Sequence, residues 1–525
     1  MKQKILLLFF SILLSYGLYA QGEASHWYFG RSSGIDFTQM TTRSDVTING
    51  STNEILSGIP AFDKTGPITT DEGCFSISDK NGNFLFASDG MRVYGKNKVQ
   101  MPNGSGLKGH TSATQSGIVI PRPNHPNNFY IVSVSAWESP YAICVYEVDM
   151  TANGGNGDLL CNPNGTVKST VLNFDGIYPI NQQYENIAAV KHANGKDFWL
   201  AHRCRDYIFI WEVTENGIDA APTKKHQIGY DPGIPSASVY TAGHLKFSSN
   251  GKYIAHIHST PASIIAGKFD DSTGDIVGLK NHILNPTSNA YGLVFSPSNK
   301  YIYYTYYATG KVYRRTLESF LNDTAESALP INQYMNNIQL GPDNRIYGII
   351  TYSNYGSPEN ANWRNLPIIL NPDDENIDIA VVPNYYEASN GASLTGTHLS
   401  FPTFTSSFFY TGDIESTPVL PICVDKNEEI TFSTQISAGS GENTIIKIEW
   451  DFGDGTSIIT DTNMSQLIFT QKHTYPNKPG KYIVTLTPYK SDNSVITSNI
   501  KTFEVKINSC VLPVNHNISV MGYYD

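Results

Sequence analysis

Leu245-Lys-Phe-Ser-Ser-Asn-Gly-Lys-Tyr-Ile254 returns as Leu293-Val-Phe-Ser-Pro-Ser-Asn-Lys-Tyr-Ile302 and again as Ile338-Gln-Leu-Gly-Pro-Asp-Asn-Arg-Ile-Tyr347, at steps of 48 and 45 residues. Each copy is an apolar strand, a short polar turn and an aromatic-rich strand. A period of this size built from strands is the mark of radially arranged four-stranded blades. With the phrase as a template, looser copies emerge upstream: Phe75-Ser-Ile-Ser-Asp-Lys-Asn-Gly-Asn-Phe-Leu85, Ile118-Val-Ile-Pro-Arg-Pro-Asn-His-Pro-Asn-Asn-Phe-Tyr130 and Ile187-Ala-Ala-Val-Lys-His-Ala-Asn-Gly-Lys-Asp-Phe-Trp199. Further strands follow the copies, among them Ala142-Ile-Cys-Val-Tyr-Glu-Val148 and Tyr207-Ile-Phe-Ile-Trp-Glu-Val213, as a blade requires.

A seventh blade can be assembled from the two ends of this region. His398-Leu-Ser-Phe-Pro-Thr-Phe404 reads as its inner strand, and Trp27-Tyr-Phe-Gly30 with Gly34-Ile-Asp-Phe37 as further strands. Pairing the ends would close the ring and remove its exposed edges. The expected fold is therefore all-β, a seven-bladed β-propeller over 24–410, with six and eight blades as alternatives, then a linker over 411–420. Alternation at Ile446, Ile448 and Trp450, the turn Gly453-Asp454-Gly455, and alternation again at Tyr482, Val484 and Leu486 predict a second module. Its size and short strands suit an immunoglobulin-like sandwich over 421–511, leaving a short tail at 512–525.

A charged Met1-Lys-Gln-Lys4, an apolar run over 5–14 and a small residue at Ala20 read as a signal peptide cleaved after Ala20. Gln21 stands where a lipid-anchored leader would place Cys. A secreted or cell-surface protein without a membrane span in its mature chain is expected, as a monomer. Charged residues are 16% of the chain and the net charge is -11, with no basic patch, which argues against a nucleic-acid partner. None of the six cysteines forms a C-x-x-C pair. A Cys423–Cys510 disulfide would bracket the second module, and Cys74, Cys144, Cys161 and Cys204 read as buried thiols or one local pair.

The run Trp450-Asp-Phe-Gly-Asp-Gly-Thr456, with His473-Thr-Tyr475 and Gly480-Lys-Tyr-Ile-Val-Thr-Leu486, closely resembles the polycystic kidney disease (PKD) domain. Trp27-Tyr-Phe-Gly-Arg-Ser-Ser-Gly-Ile-Asp-Phe37, Asp71-Glu-Gly-Cys74 and Ser88-Asp-Gly90 resemble the propeller that precedes PKD domains in exported Bacteroidetes proteins. That resemblance implies kinship with gliding-motility and type IX secretion-associated proteins, many of which end in a sorting domain. Residues 511–525 are shorter than such a domain.

Several motifs have a plain alternative. Gly30-Arg-Ser32-Ser-Gly34 matches a nucleophile elbow, but no helix start follows it, so it reads as a hairpin turn. Asp79-Lys-Asn81-Gly-Asn83 begins like a calcium loop, yet Phe84 and Gly90 occupy the positions that need Gly and Glu, which makes it a blade turn. Asp451 and Asp454 are candidates for calcium, although Asp beside Gly is common in turns; no cofactor is otherwise expected. His256 and His258 share a strand face as metal pairs do, but no third ligand follows and a structural pair is expected. Tyr301, Tyr303, Tyr304, Tyr306 and Tyr307 are so dense that alternation should turn some outward, where rings stack on sugars.

Positions just before each inner strand line the channel mouth of a propeller, where ligands bind. Here they hold Glu72, Gln115, Glu185, Asn186, His244, Tyr291, Asn337 and His398. This mixed polar ring suits hydrogen bonding to a neutral or polyhydroxyl ligand. The expected function is a non-catalytic exported binding or adhesion protein, its propeller a recognition platform for an extracellular polysaccharide or cell-surface protein. The PKD-like module would serve as a spacer or auxiliary binding module. A carbohydrate-active hydrolase or lyase using Glu72 and Glu185 as its acid/base pair is the alternative. A structural subunit of an envelope complex is the third.

Overall fold

The computed structural model describes residues 22–136, 143–180, 184–228, 242–284, 289–307, 309–322, 324, 328–351, 361–386, 400–410, 415–417, 422–423, 429–436, 445–464, 468–476, 478–495 and 501–508. The expected leader at 1–20, His398, Cys510 and residues 512–525 lie outside them, and so does the expected Cys423–Cys510 pairing.

All six copies of the repeated phrase are strand-turn-strand hairpins, and each opens an antiparallel sheet. Blade I contains Phe75–Ser78, Phe84–Ser88, Arg92–Tyr94 and Gln100–Ser105; blade II begins with Gly117–Pro121, Asn128–Ser133 and Cys144–Asp149. Blade III begins with Ala188–Lys191, Phe198–Cys204 and Tyr207–Thr214, blade IV with Leu245–Phe247, Tyr253–His258 and Ser263–Asp270. Blade V begins with Ala290–Phe295, Tyr301–Tyr306 and Lys311–Thr316, and blade VI with Asn337–Leu340, Ile346–Ile349, Leu366–Ile369 and Ile379–Val382.

The polar turn inside each phrase has one physical requirement. A residue of positive φ reverses the chain in every copy: Gly82, Asn124, Gly195, Gly251, Asn299 and Asn344. Only Gly, and Asn through its short polar side chain, enters that region readily. The turn is closed alike in successive copies, Ser248 N–H donating to Tyr253 O, Ser296 to Tyr301 O and Gly341 to Arg345 O.

Apolar clusters lie between consecutive blades. One joins Ile118, Val132, Leu200 and Trp211 of blades II and III, the next Val190, Trp199, Ile254 and Phe269 of III and IV, and another Ile257, Ile264, Leu293 and Tyr304 of IV and V. The largest unites blades V, VI, I and II with the N-terminal strands. Both faces of a blade are thereby covered, which corrects the expectation for four of the five tyrosines, Tyr307 being half-buried. Tyr301 and Tyr303 pack into one inter-blade cluster, Tyr304 and Tyr306 into the other, and all four are buried. Alternation turns them to opposite faces, but neither face meets water.

The ends meet differently from the expected seventh blade. His26–Phe29 pairs with the start of Ser33–Ile48, which pairs with Ser51–Asp63; Thr47 and Ile48 then join Val381 and Ala380 at the outer edge of blade VI. These strands and blade VI form one seven-stranded sheet. Residues 400–404, the described part of the inner strand expected over 398–404, form none, and Ser406–Phe409 is a 3-10 helix. This segment touches inner strands or their leading loops from all six blades. Thr403 N–H donates to Cys74 O of the loop before blade I and Thr405 Oγ1 to Val119 O of blade II. The helix packs on Ala188–Lys191 of blade III. Ser406 and Phe409 share a cavity wall with Lys246, Val294 and Gln339 of blades IV, V and VI. Only the ring's axis allows such contacts, so this segment occupies the central channel.

The elbow-like Gly30-Arg-Ser32-Ser-Gly34 is the turn of the His26–Phe29 hairpin, with Gly30 and Ser32 at positive φ. Asp79 caps the turn of its own blade, accepting from the N–H groups of Asn81 and Asn83. Cys74, Cys144 and Cys204 are buried thiols, whereas Cys161 is an exposed one, because it lies in a surface turn outside the blade core.

The second module is a sandwich of two sheets. Glu415–Thr417, Ile430–Gln435 and Ile468–His473 form one; Ile422–Cys423, Lys501–Asn508, Gly480–Tyr489, Lys447–Asp451 and Ile459–Asp461 form the other. The strand Glu415–Thr417 thus belongs to the sandwich although it precedes Pro421. Ile448, Trp450, Val484 and Leu486 fill the core as alternation requires. Ile446 does not: it lies before the strand begins, is 39% exposed, and Ile445 is buried instead. His473 stacks on Phe452 with ring centroids 4.2 Å apart and shares a 2.8 Å contact with Asp454. Tyr475 donates to Phe452 O, so both aromatic partners of the W-D-F-G-D-G turn hold it in place.

Candidate functional site

The loops that lead into the inner strands converge at one end of the axis. Glu72 precedes blade I, Gln115 blade II, Glu185 and Asn186 blade III and His244 blade IV, while Tyr291 and Asn337 sit at the starts of blades V and VI. The alignment of blades therefore places these seven in one region, but the structure divides them by role.

Gln115 and Asn186 are structural staples. Gln115 Nε2 donates to Ile187 O and Leu245 O, and its Oε1 accepts from the N–H groups of Ile187 and Leu245. One amide thus ties the inner strands of blades III and IV to blade II. Asn186 donates to Arg203 O and accepts from Arg203 N–H. Both side chains are buried; Gln115 spends all of its donors and acceptors on backbone groups, and Asn186 is held to the Arg203 backbone. Gln115→Ala should lower stability by about 2 kcal/mol in a urea titration, because it strands buried backbone groups on two neighbouring blades.

The other five form a network with three residues that sequence reasoning missed. Tyr291 Oη donates to Glu72 Oε2 at 3.0 Å and lies 3.2 Å from Ser400 Oγ. Asn337 Nδ2 donates to Ser400 Oγ at 3.2 Å and approaches His244 Nε2 at 3.5 Å. Ser400 Oγ reaches Thr114 O, and the N–H and hydroxyl of Thr114 both donate to Glu185 Oε2 at 3.1 Å. Ser112 Oγ donates to the other oxygen of Glu72. The axial segment is thus locked to the mouth through one serine. Ser400 lies two residues beyond the aligned position His398, and Thr114 one before Gln115, so a wider alignment window would have included both.

Burial dominates the electrostatics. It raises the Glu72 carboxyl to about 8, with the nearby Glu185 charge the second cause. Burial likewise holds Tyr291 well above the usual phenol range and His244 well below the usual imidazole range. At neutral pH Glu72, Tyr291 and His244 are accordingly uncharged. Glu72 and Ser112 are half-buried, and they form the most accessible part of the network.

His256 and His258 lie on the second strand of blade IV and are buried. Arg203 Nη1 donates to His256 Nδ1 at 2.8 Å, while His258 packs near Tyr184. Nothing in the sequence marks Arg203 as a buried cation. Asp451 accepts from Gly453 N–H, and Asp454 from Thr456 as well as meeting His473. Among the described residues no three His, Cys, Asp or Glu side chains converge on a common metal position. No described helix is long and apolar enough to cross a membrane.

Residues 416–507 match the model of the PKD domain family. No curated protein matches the chain. Among solved structures, it is similar to Kuenenia stuttgartiensis hydrazine synthase, at 12% identity over 67% of this chain and 96% of that one, TM-score 0.36. It is also similar to the β-propeller domain of Myceliophteria thermophila Cps50 (Swd1), at 11% identity over 69% and 96%, TM-score 0.34. A third is the Pseudomonas aeruginosa periplasmic gluconolactonase PpgL, at 9% identity over 80% and 92%, TM-score 0.30. At this level of likeness the activities of those proteins do not transfer to this chain. The radial sheets and the family match together identify a β-propeller followed by a PKD domain at residues 416–507.

Proposed function

We propose that the chain is an exported, non-catalytic binding protein. Its propeller recognises a neutral, hydroxyl-rich ligand at the channel mouth, a polysaccharide or a glycan on a cell-surface protein. The PKD domain acts as a spacer or auxiliary binding module. The observation that carries this reading is the state of Glu72: it is half-buried at the mouth, bonded to Tyr291 and Ser112, and protonated below about pH 8. At Glu72, Tyr291 and Ser112 the mouth therefore offers uncharged donors and acceptors, which match hydroxyl groups better than an anion. The leader-like N-terminus and the PKD domain support export to the cell exterior.

Retention of the purified protein on a panel of immobilised polysaccharides, without release of shortened product, is the expected result. Tyr291→Phe removes the hydroxyl joining Glu72 to the axial segment and should weaken retention about tenfold. Failure to bind any glycan on the panel would remove this reading.

One observation favours catalysis as a second reading. A carboxyl held protonated near neutral pH in the field of a second carboxyl group is one requirement of a glycosidase acid/base pair, and Glu72 near Glu185 meets that one. Turnover of a polysaccharide that disappears in both Glu72→Gln and Glu185→Gln would replace the binding-only reading with this one.

A further inference from the structure

A second polar site lies further along the axis, below the mouth. A cavity of about 20 Å³ is lined by the inner strands of blades IV, V and VI and by the axial segment. Lys246 and Ser249 line it from blade IV and Gln339 from blade VI, and Phe404 and Phe409 wall it from the axis. Lys246 is buried, and its ammonium has one hydrogen bond, to the neutral Gln339 Oε1 at 2.8 Å. Among the described residues no carboxylate pairs with it. Ser249 also lines this cavity; it is 5% exposed, and its buried hydroxyl has no hydrogen-bond partner among the described residues.

This arrangement is unbalanced in a definite direction. An ammonium offers three donors, of which one is used, and a serine hydroxyl offers a further unmet donor. A positive charge in a low-dielectric interior is strongly unfavourable unless an opposite charge accompanies it. The volume admits one water-sized occupant. A water molecule could accept one of these hydrogen bonds but would leave the charge uncompensated, whereas an anion of similar size satisfies both needs. Burial lowers the lysine to about 8, so at neutral pH it remains mostly protonated.

We propose that Lys246 and Ser249 bind a small monovalent anion, of the chloride class, inside the central channel, where it neutralises the buried ammonium and joins blade IV to the axial segment. The site is independent of the ligand bound at the mouth.

Two measurements on the full chain test this. Crystals grown in sodium bromide should show an anomalous peak in contact with Lys246 Nζ and Ser249 Oγ. In solution, Tm should rise to saturation with sodium chloride and rise less with sodium gluconate at equal ionic strength, as one-site linkage requires. The chloride-specific part of the rise should vanish in Lys246→Met and shrink in Ser249→Ala. The Ser249 variant and the bromide crystals decide the matter if Lys246→Met does not fold. Equal responses to the two salts in the unmodified protein, or an ordered water without an anomalous peak, would overturn the proposal.

Discussion

Glu72→Gln is expected to flatten the protein's loss of stability between about pH 4.5 and pH 8, leaving the variant more stable than the parent above about pH 8. The folded-state carboxyl titrates at about 8 rather than its ordinary 4.5, because it is buried and because Glu185 lies near. The sign follows from linkage. A raised pKa means that the folded state holds the proton more tightly, so this contribution is complete below about 4.5 and is lost as pH rises through about 8. The span corresponds to roughly 5 kcal/mol at most. Gln preserves the shape, cannot ionise, and can accept from Tyr291 through its carbonyl oxygen while its amide donates to the Ser112 hydroxyl. Urea titrations at a series of pH values measure the effect, and other titrating groups cancel in the difference between variant and parent. Parallel profiles at every pH would show that Glu72 ionises as an exposed carboxylate does.

Trp27→Ala should lower stability by about 3–5 kcal/mol and release the axial segment. Trp27 is fully buried, and its ring centroid lies 4.9 Å from that of Phe37, 5.8 Å from Tyr347, 5.0 Å from Phe401 and 6.0 Å from Phe404. Its indole N–H also donates to Ala24 O at 2.9 Å. One side chain thus joins the N-terminal strands, blade VI and the segment on the axis. Truncation leaves a large cavity where three separate parts of the chain meet, so relaxation cannot fill it from one side. Chemical denaturation gives the magnitude, and limited proteolysis gives the mechanism: cleavage within 400–410 should appear in the variant and be absent from the parent. Trp27→Phe should lose less than half as much. A loss under about 1 kcal/mol in Trp27→Ala would mean that this contact does not close the ring.

Much of the architecture was legible because its determinants are local. Each phrase carries its own alternation and its own Gly or Asn at the one turn position that needs positive φ, as at Gly251, Asn299 and Asn344. The PKD module was legible for a similar reason, since Gly453 and Gly455 occupy positive φ beside a strand whose Trp450 points into the core. Seven of the candidate mouth residues were likewise found by position in the repeat. What they do there was not legible. Gln115 spends its amide on Ile187 and Leu245, residues distant in sequence whose backbone groups become its partners only once the blades stand side by side.

The sequence by itself determined the repeating unit, the direction of each hairpin and the presence of a second sandwich, because turn geometry and strand alternation act over a few residues. Only the tertiary structure decided what fills the centre of the ring. An extended apolar stretch such as 400–405 can pair as a strand or lie along an axis, and the choice depends on the hydrogen-bonding groups that surround it. Here Ser400 meets Tyr291, Asn337 and Thr114, contributed by three blades. The same enclosure made Glu72 a neutral acid and Lys246 a buried cation, since ionisation responds to the surrounding dielectric and charges rather than to the identity of neighbours in the chain.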